Sequence, residues 1–421
     1  MTELLAPAGT LEHLHYAFAY GADAVYAGMP RYGLRVRENQ FNDLVKLKKA
    51  VDETHAKQKK IYITANIFAH NSKIKTFIDD IKKVVEFKPD ALIMADPGLI
   101  LMVREQFPDI PLHLSVQANT VNYQAVKFWQ QIGIERIILS RELSLEEIKE
   151  IRDECPDIEL EVFVHGAMCI AYSGRCLLSG FINHRDANQG TCTNACRWQY
   201  TEVDALKADN GALAKANEVL IEEIGRPGES MQMEEDANGS YIMNSKDLRA
   251  VEHIAELLAI GIDSFKIEGR TKSKYYVSRV VQSYRQALDD AVAGRKFDSG
   301  LLASLENLAN RGYTDGFFKR HKTYDYQNYL DGNSRSKKQL YVADILGLDT
   351  EKASLKLLSK NKISLGDKLE VILPHGNQDI VVGHIEDNNG KELSEVPGGG
   401  FEVNIPFADP EVEYGLVAKY L

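Results

Sequence analysis

Four of the five cysteines in this 421-residue chain, Cys169, Cys176, Cys192 and Cys196, fall within twenty-eight positions. Glycine, serine, threonine and alanine are frequent around them. Thiolates are soft ligands, and four of them complete the shell of an iron-sulfur cluster or of a tetrahedral zinc ion. Structural zinc usually takes two short Cys-x2-4-Cys knuckles, and here six residues separate the first pair and three the second. That spacing favours a cluster, with zinc as the alternative and unligated thiols as a third reading. No Cys-x-x-Cys occurs, which disfavours a redox disulfide, and no Cys-x3-Cys-x2-Cys triplet of the radical S-adenosylmethionine type occurs either. Cys155, next to Pro156, is left over and reads as a structural thiol.

Just ahead of the cysteines stand Glu161 and His165. On a regular strand, positions 161, 163 and 165 point the same way, so Glu161 is expected to orient His165 as a general acid/base. The competing reading is a histidine packed in the core. Further candidates are Arg35, Arg37, Arg141, Glu268 and Arg270, with Asn66 and Gln117 as polar contacts and Lys272 and Lys274 as binders of a nucleic-acid backbone.

These residues need a scaffold, and the first 270 positions supply an alternation of short apolar runs with helical stretches. Eight runs read as strands: Glu3 to Ala6, Ala22 to Ala27, Lys60 to Asn66, Ala91 to Ala95, Leu112 to Val116, Arg136 to Ser140, Glu159 to Val164 and Ser264 to Glu268. Runs such as Ile137-Ile-Leu139 are apolar on both faces, as in parallel strands covered by helices. Eight such units predict an α/β fold, a TIM-type (β/α)8 barrel spanning residues 1–330, with a doubly wound sheet as the alternative. In a barrel, chemistry collects at the carboxyl ends of the strands. Asn66, Asp96, Ser115, Gln117, Arg141, Glu142, His165, Glu268 and Arg270 all arrive there, although each could equally be a helix cap or loop anchor.

Between the cysteine loop (169–196) and the eighth strand, an acidic insertion covers about 202–240. Residues 202–236 carry ten acids against three bases, a net of −7, with a Gly-Arg-Pro-Gly break. We expect a hairpin in which Trp198 to Val203 pairs with Ser240 to Asn244, placing Lys246 and Asp247 at the start of a helix. Past Leu330 the pattern changes to short alternating strands between Gln339 and Tyr420, a small C-terminal β-barrel domain over 331–421. The whole chain has a net charge of −11, yet residues 266–340 hold fifteen bases and eight acids, leaving −18 for the remainder. Tyr275, Tyr276, Tyr284, Tyr313, Phe317, Phe318, Tyr324, Tyr326 and Tyr329 interleave with those bases, a mixture that binds phosphates and stacks unpaired bases. A helix packed on its aromatic side and solvated on its basic side has the same composition. No apolar run approaches the roughly 18 residues needed to cross a bilayer, and the amino terminus carries no signal-peptide pattern, so a cytoplasmic protein is expected.

Glu161-Val-Phe-Val-His165-Gly-Ala-Met-Cys169, followed by Ser173-Gly174-Arg-Cys176-Leu-Leu-Ser179, resembles the signature of the collagenase-like U-type peptidases, a family named for an unknown catalytic type. Leu5-Ala-Pro-Ala-Gly9, Gly21-Ala-Asp-Ala-Val-Tyr-Ala-Gly28, Lys266-Ile-Glu268-Gly-Arg270 and Asn310-Arg-Gly-Tyr-Thr-Asp-Gly-Phe317 extend the resemblance over most of residues 1–330. Within the family the chain is most similar to the branch that hydroxylates tRNA. The resemblance implies oxygen-independent conversion of wobble uridine to 5-hydroxyuridine, dependence on prephenate, and a 4Fe-4S cluster. Prephenate is a dicarboxylate, for which Arg35, Arg37, Arg141 and Arg270 are candidate partners. Two other readings stand beside this one. A collagenase-like hydrolase would use Cys169 with His165, since neither His-Glu-x-x-His nor Gly-x-Ser-x-Gly is present. A non-catalytic iron-sulfur partner protein would use the cysteines alone.

Overall fold

Each barrel unit begins with a run of aliphatic residues that has no exposed face. The computed structural model describes residues 2–34, 40–169, 171–172, 175–176, 179, 187–191, 218–222, 230–236, 239–241, 246–310, 312–319 and 338–421. The strands are β1 (Glu3–Pro7), β2 (Ala24–Gly28), β3 (Lys60–Ala65), β4 (Ala91–Met94), β5 (Leu112–Leu114), β6 (Arg136–Ile138) and β7 (Glu159–Ala167). Between them run α1 (Leu11–Ala19), α2 (Leu44–Ala56), α3 (Asn71–Val85), α4 (Pro97–Gln106), α5 (Tyr123–Gln131) and α6 (Leu145–Glu154).

Local signals set the helix ends. Thr10 caps α1 through its hydroxyl, and Gly21 beyond the other end adopts φ +104, the left-handed region that glycine enters freely. Asp96 caps α4 with Pro97 in the first turn, and Ser144 with Glu147 forms a capping box on α6.

After β7 come three short strands, β8 (Glu218–Glu222), β9 (Ser230–Asp236) and β10 (Gly239–Tyr241), paired antiparallel in the order β10-β9-β8. Among the described residues the acidic insertion forms a three-stranded antiparallel meander. Ser240 pairs with Glu235 and Tyr241 with Glu234, while Trp198 to Val203 lie outside the described residues. Asp247 does not open a helix: β11 (Asp247–Arg249) pairs antiparallel with β7, and α7 (Ile254–Ile260) follows. Then come β12 (Ser264–Ile267), α8 (Lys274–Val292) and the two-residue β13 (Tyr313–Thr314), which pairs with β11.

Parallel pairing runs β12-β1-β2-β3-β4-β5-β6-β7, and β12 pairs back onto β7. The sheet closes into an eight-stranded parallel barrel, as the run of βα units predicts, with β11 and β13 added outside the closure. Past residue 337, a seven-stranded antiparallel sheet is built around Gln339–Asp349, which pairs with Ser354–Ser359 on one side and Leu416–Tyr420 on the other. Its own core contains Val342, Leu355, Leu357, Leu369, Val371 and Val403.

This domain is docked on the outside of the barrel. Tyr20 at the end of α1 donates to the carbonyls of Ile372 (2.9 Å) and Tyr414 (3.1 Å). Arg279 of α8 makes a buried bidentate pair with Glu370 at 2.9 and 3.0 Å, and Gln339 and Asn377 also donate to that carboxylate. Tyr275 stacks on Tyr341 with ring centres 5.0 Å apart. No described helix is long and apolar enough to cross a membrane.

Candidate active site at the barrel mouth

One irregularity in β7 decides where its side chains go. Glu161 pairs with Ser264, Val162 with Phe265 and Phe163 with Lys266, but the next partner, Ile267, pairs with His165. Val164 is the extra residue of a β-bulge, and the bulge reverses the alternation. Below it, Glu161 and Phe163 face the barrel interior. Above it, His165 faces outward onto α8.

The expected Glu161–His165 couple is therefore not formed. Glu161 is fully buried and accepts from Lys266 Nζ at 2.7 Å and Arg136 Nη1 at 3.2 Å. Burial alone raises a carboxyl pKa; here Lys266 and Arg136 outweigh it and hold Glu161 below its ordinary value. Arg136 also pairs with Glu3 (2.6 Å) and Glu159 (2.7 Å), and Tyr62 donates to Glu3 at 2.6 Å. Five strands thus share one ionic network inside the barrel, which sequence reasoning missed because its members are far apart in the chain.

His165 is 1% exposed, inside a ring of Tyr276, Tyr284 and Tyr313 at centre distances of 5.8, 5.4 and 5.5 Å. Its Nδ1 lies 3.2 Å from the Tyr284 hydroxyl, which also donates to the Val164 carbonyl at 2.7 Å and accepts from Ala250 N at 3.1 Å. Burial, reinforced by the charges of Arg249 and Lys272, pushes the imidazole pKa down to about 3. The ring is a neutral packing element that holds the bulge, and Cys169 is not among its described hydrogen-bond or ring partners. Tyr275, Tyr276, Tyr284 and Phe318 are buried as well, so these aromatics pack the barrel wall and offer no stacking surface. Tyr324, Tyr326 and Tyr329 lie outside the described residues.

The chain crosses tightly at the top of β7 and β12. Gly166 has φ +109, and a Cβ there would sit 2.5 Å from the Glu268 carbonyl; Gly269, at φ +152, would meet the Tyr276 ring at 2.4 Å. These approaches bring the root of the cysteine loop beside Glu268 and Arg270. Glu268 N donates to the His165 carbonyl at 2.8 Å, and Arg270 Nη1 crosses to Thr64 Oγ1 on β3 at 2.9 Å. Both residues are buried at the mouth.

Other candidates gather around the same rim. Asn66 donates to Ser115 Oγ at 3.0 Å and accepts from Leu34 N at 3.2 Å. Gln117 is half-buried in the short turn that Ser115 caps. Arg141 donates to the Ala167 carbonyl at 2.6 Å and lies 3.9 Å over the Phe163 ring. Asp96, by contrast, is used as the α4 cap. Arg35 and Arg37 lie outside the described residues.

The two lysines have different surroundings. Lys272 is half-buried near the Tyr276 ring at 5.4 Å. Lys274 is not available as a backbone-binding base: it pairs with Glu12 at 2.6 Å and with Asp344 of the C-terminal domain at 2.8 Å.

Cys169 is exposed two residues beyond the end of β7, and Cys176 is half-buried. Cys192 and Cys196 lie outside the described residues. Between the cysteine pairs, Gln189 donates to the carbonyl of Phe68 after β3. Cys155 is buried, its Sγ 3.6 Å from the Tyr123 carbonyl, and burial raises its thiol pKa.

Comparison with known proteins fits this anatomy. Residues 9–328 match peptidase family U32, and residues 337–418 match the peptidase family U32 C-terminal domain. The chain is 54% identical to tRNA hydroxylation protein P of Escherichia coli (strain K12), over 99% of this chain and 96% of that one. It is 51% identical to the Haemophilus influenzae protein of the same name, over 100% and 96%. It is 32% identical to the 23S rRNA 5-hydroxycytidine C2501 synthase of Escherichia coli (strain K12), over 76% of this chain and 46% of that one. With its barrel and its C-terminal domain both matched, this chain belongs to peptidase family U32.

Proposed function

We propose that this chain is an RNA-modifying enzyme that hydroxylates tRNA, converting the wobble uridine to 5-hydroxyuridine with prephenate as co-substrate and a 4Fe-4S cluster. The observation that carries this reading is the extent of the similarity. It covers 99% of this chain and 96% of the Escherichia coli tRNA hydroxylation protein, so barrel, insertion and C-terminal domain are shared together.

The donor set suits a cluster. Cys169, Cys176, Cys192 and Cys196 are four soft ligands close together in sequence, and Cys169 stands two residues beyond β7. When bound, the cluster would supply electron-transfer or Lewis-acid chemistry to that mouth. The remaining work falls to the chain itself. Asn66, Ser115 and Gln117 offer polar contacts to a base or a small acid, and Arg141 and Arg270 supply positive charge.

Deleting the gene and analysing tRNA nucleosides by mass spectrometry should remove 5-hydroxyuridine and its derivatives. Cells unable to make prephenate should lose them too. Unchanged levels in the deletion strain would sink the reading. Protein purified without oxygen should be brown and contain iron and sulfide, whereas a colourless preparation with stoichiometric zinc would overturn the cluster. Replacing any of the four loop cysteines with Ala should abolish iron binding, while Cys155→Ala should retain it.

A further inference from the structure

Arg141 stands just past β6, half-buried, with its guanidinium 3.9 Å over the Phe163 ring and Nη1 on the Ala167 carbonyl at 2.6 Å. Both contacts fix the side chain, and neither neutralises it. Arg104, Arg136, Arg152, Arg249, Arg279 and Arg285 each pair with a carboxylate, whereas Arg141 pairs with none among the described residues. Its neighbour Glu142 is engaged by Ser140. The other cation near the Phe163 ring, Lys266 at 5.4 Å, already has Glu161.

With Nη1 occupied, the Nε–Nη2 edge is the fork that remains. Its Nε is buried and makes no hydrogen bond, a property shared with Arg104, Arg152, Arg249, Arg279 and Arg285, so what sets Arg141 apart is the lack of a carboxylate partner among the described residues. That edge matches the two oxygens of a planar carboxylate, and the stacked ring holds it in one orientation. The position lies inside the rim, between a ring that faces the barrel interior and the root of the cysteine loop. It suits a molecule small enough to enter the mouth better than the phosphates of an RNA backbone.

We infer that Arg141 is the carboxylate-binding residue of the barrel mouth, its free fork taking a carboxylate of the small co-substrate. The assignment rests on the tRNA-hydroxylation reading only for the identity of that acid, prephenate.

Calorimetric titration of the full chain with prephenate, and separately with a tRNA transcript, tests it. Arg141→Ala should weaken prephenate binding by at least about tenfold, as expected for loss of a bidentate charged contact, and leave tRNA affinity unchanged. Arg141→Lys should not restore binding, because a lysine presents no fork. Arg141→Gln keeps a donor for the Ala167 carbonyl, so it gives the same readout if the alanine variant folds poorly. Unchanged prephenate affinity in both Arg141→Ala and Arg141→Gln would overturn the assignment and leave the proposed function standing. A loss confined to tRNA binding would also overturn it, making Arg141 a phosphate contact. Wild-type protein that binds tRNA but no prephenate would overturn the co-substrate reading and this assignment together.

Discussion

His165 sits among three tyrosines, and burial holds its imidazole pKa near 3 rather than at the ordinary 6.5. The unfolded chain takes up a proton as pH falls through 6.5, and the folded chain does so only near 3. Stability from the neutral ring is therefore complete above that window and is lost as pH falls through it. Urea unfolding of wild type and His165→Asn at pH values between 6.5 and about 4 should give a shallower pH slope for the variant, and equal slopes would count against the caged neutral ring. That Arg141 and Cys169 follow the sixth and seventh barrel strands is legible in the chain, because those strands are themselves plain apolar runs. The Glu161–His165 pair is misread because it depends on alternation through Val164, which has the composition of any strand residue. Glu161's actual partners, Lys266 and Arg136, are 105 and 25 positions away.

The interior network ties β1, β3, β6, β7 and β12 together, and its stability effect belongs to those elements jointly. Glu161→Ala leaves Lys266 and Arg136 buried with one carboxylate fewer and should cost about 3–5 kcal/mol in chemical denaturation. Replacing Glu161 and Lys266 together with Met should recover part of that loss, since apolar groups of similar volume do not need a partner. Gly166→Ala, at φ +109 and against the Glu268 carbonyl, should destabilise by more than about 1 kcal/mol. The eight barrel strands are readable because each is a doubly apolar run bounded by turn residues. The three-residue β11 and two-residue β13 are not, because pairing across more than sixty residues stabilises them rather than local pattern. For the same reason Lys246 and Asp247 look like a helix start and instead lead into a strand.

The barrel and the C-terminal domain act on one another through α1 and α8. Arg279→Ala strands Glu370 at a buried contact and should lower stability by about 3–5 kcal/mol, splitting the thermal unfolding of the full chain into two transitions in calorimetry. A single unshifted transition would show that the docking does not depend on the Arg279–Glu370 pair. The change to alternating strands past Leu330 is plain in the chain, but the docking surface is not. Lys274 shows why: next to Lys272 it looks like part of a basic face, and Asp344, seventy residues later, turns it into a domain contact. Net charge by segment likewise describes what a segment carries, and says nothing about which of its charges are already paired.

The bulge at Val164 also bears on how β7 tolerates change. Outward positions run 160, 162, 165 rather than 160, 162, 164, so parity reverses halfway along one strand. In a saturation scan, substitutions below the bulge should be sorted by one odd-even rule and those above it by the opposite rule. Because Val164 is the extra residue, deleting it should leave His165 opposite Ile267 and still facing α8, whereas inserting or deleting a residue on either side of the bulge should throw that half of the strand out of phase with its partners.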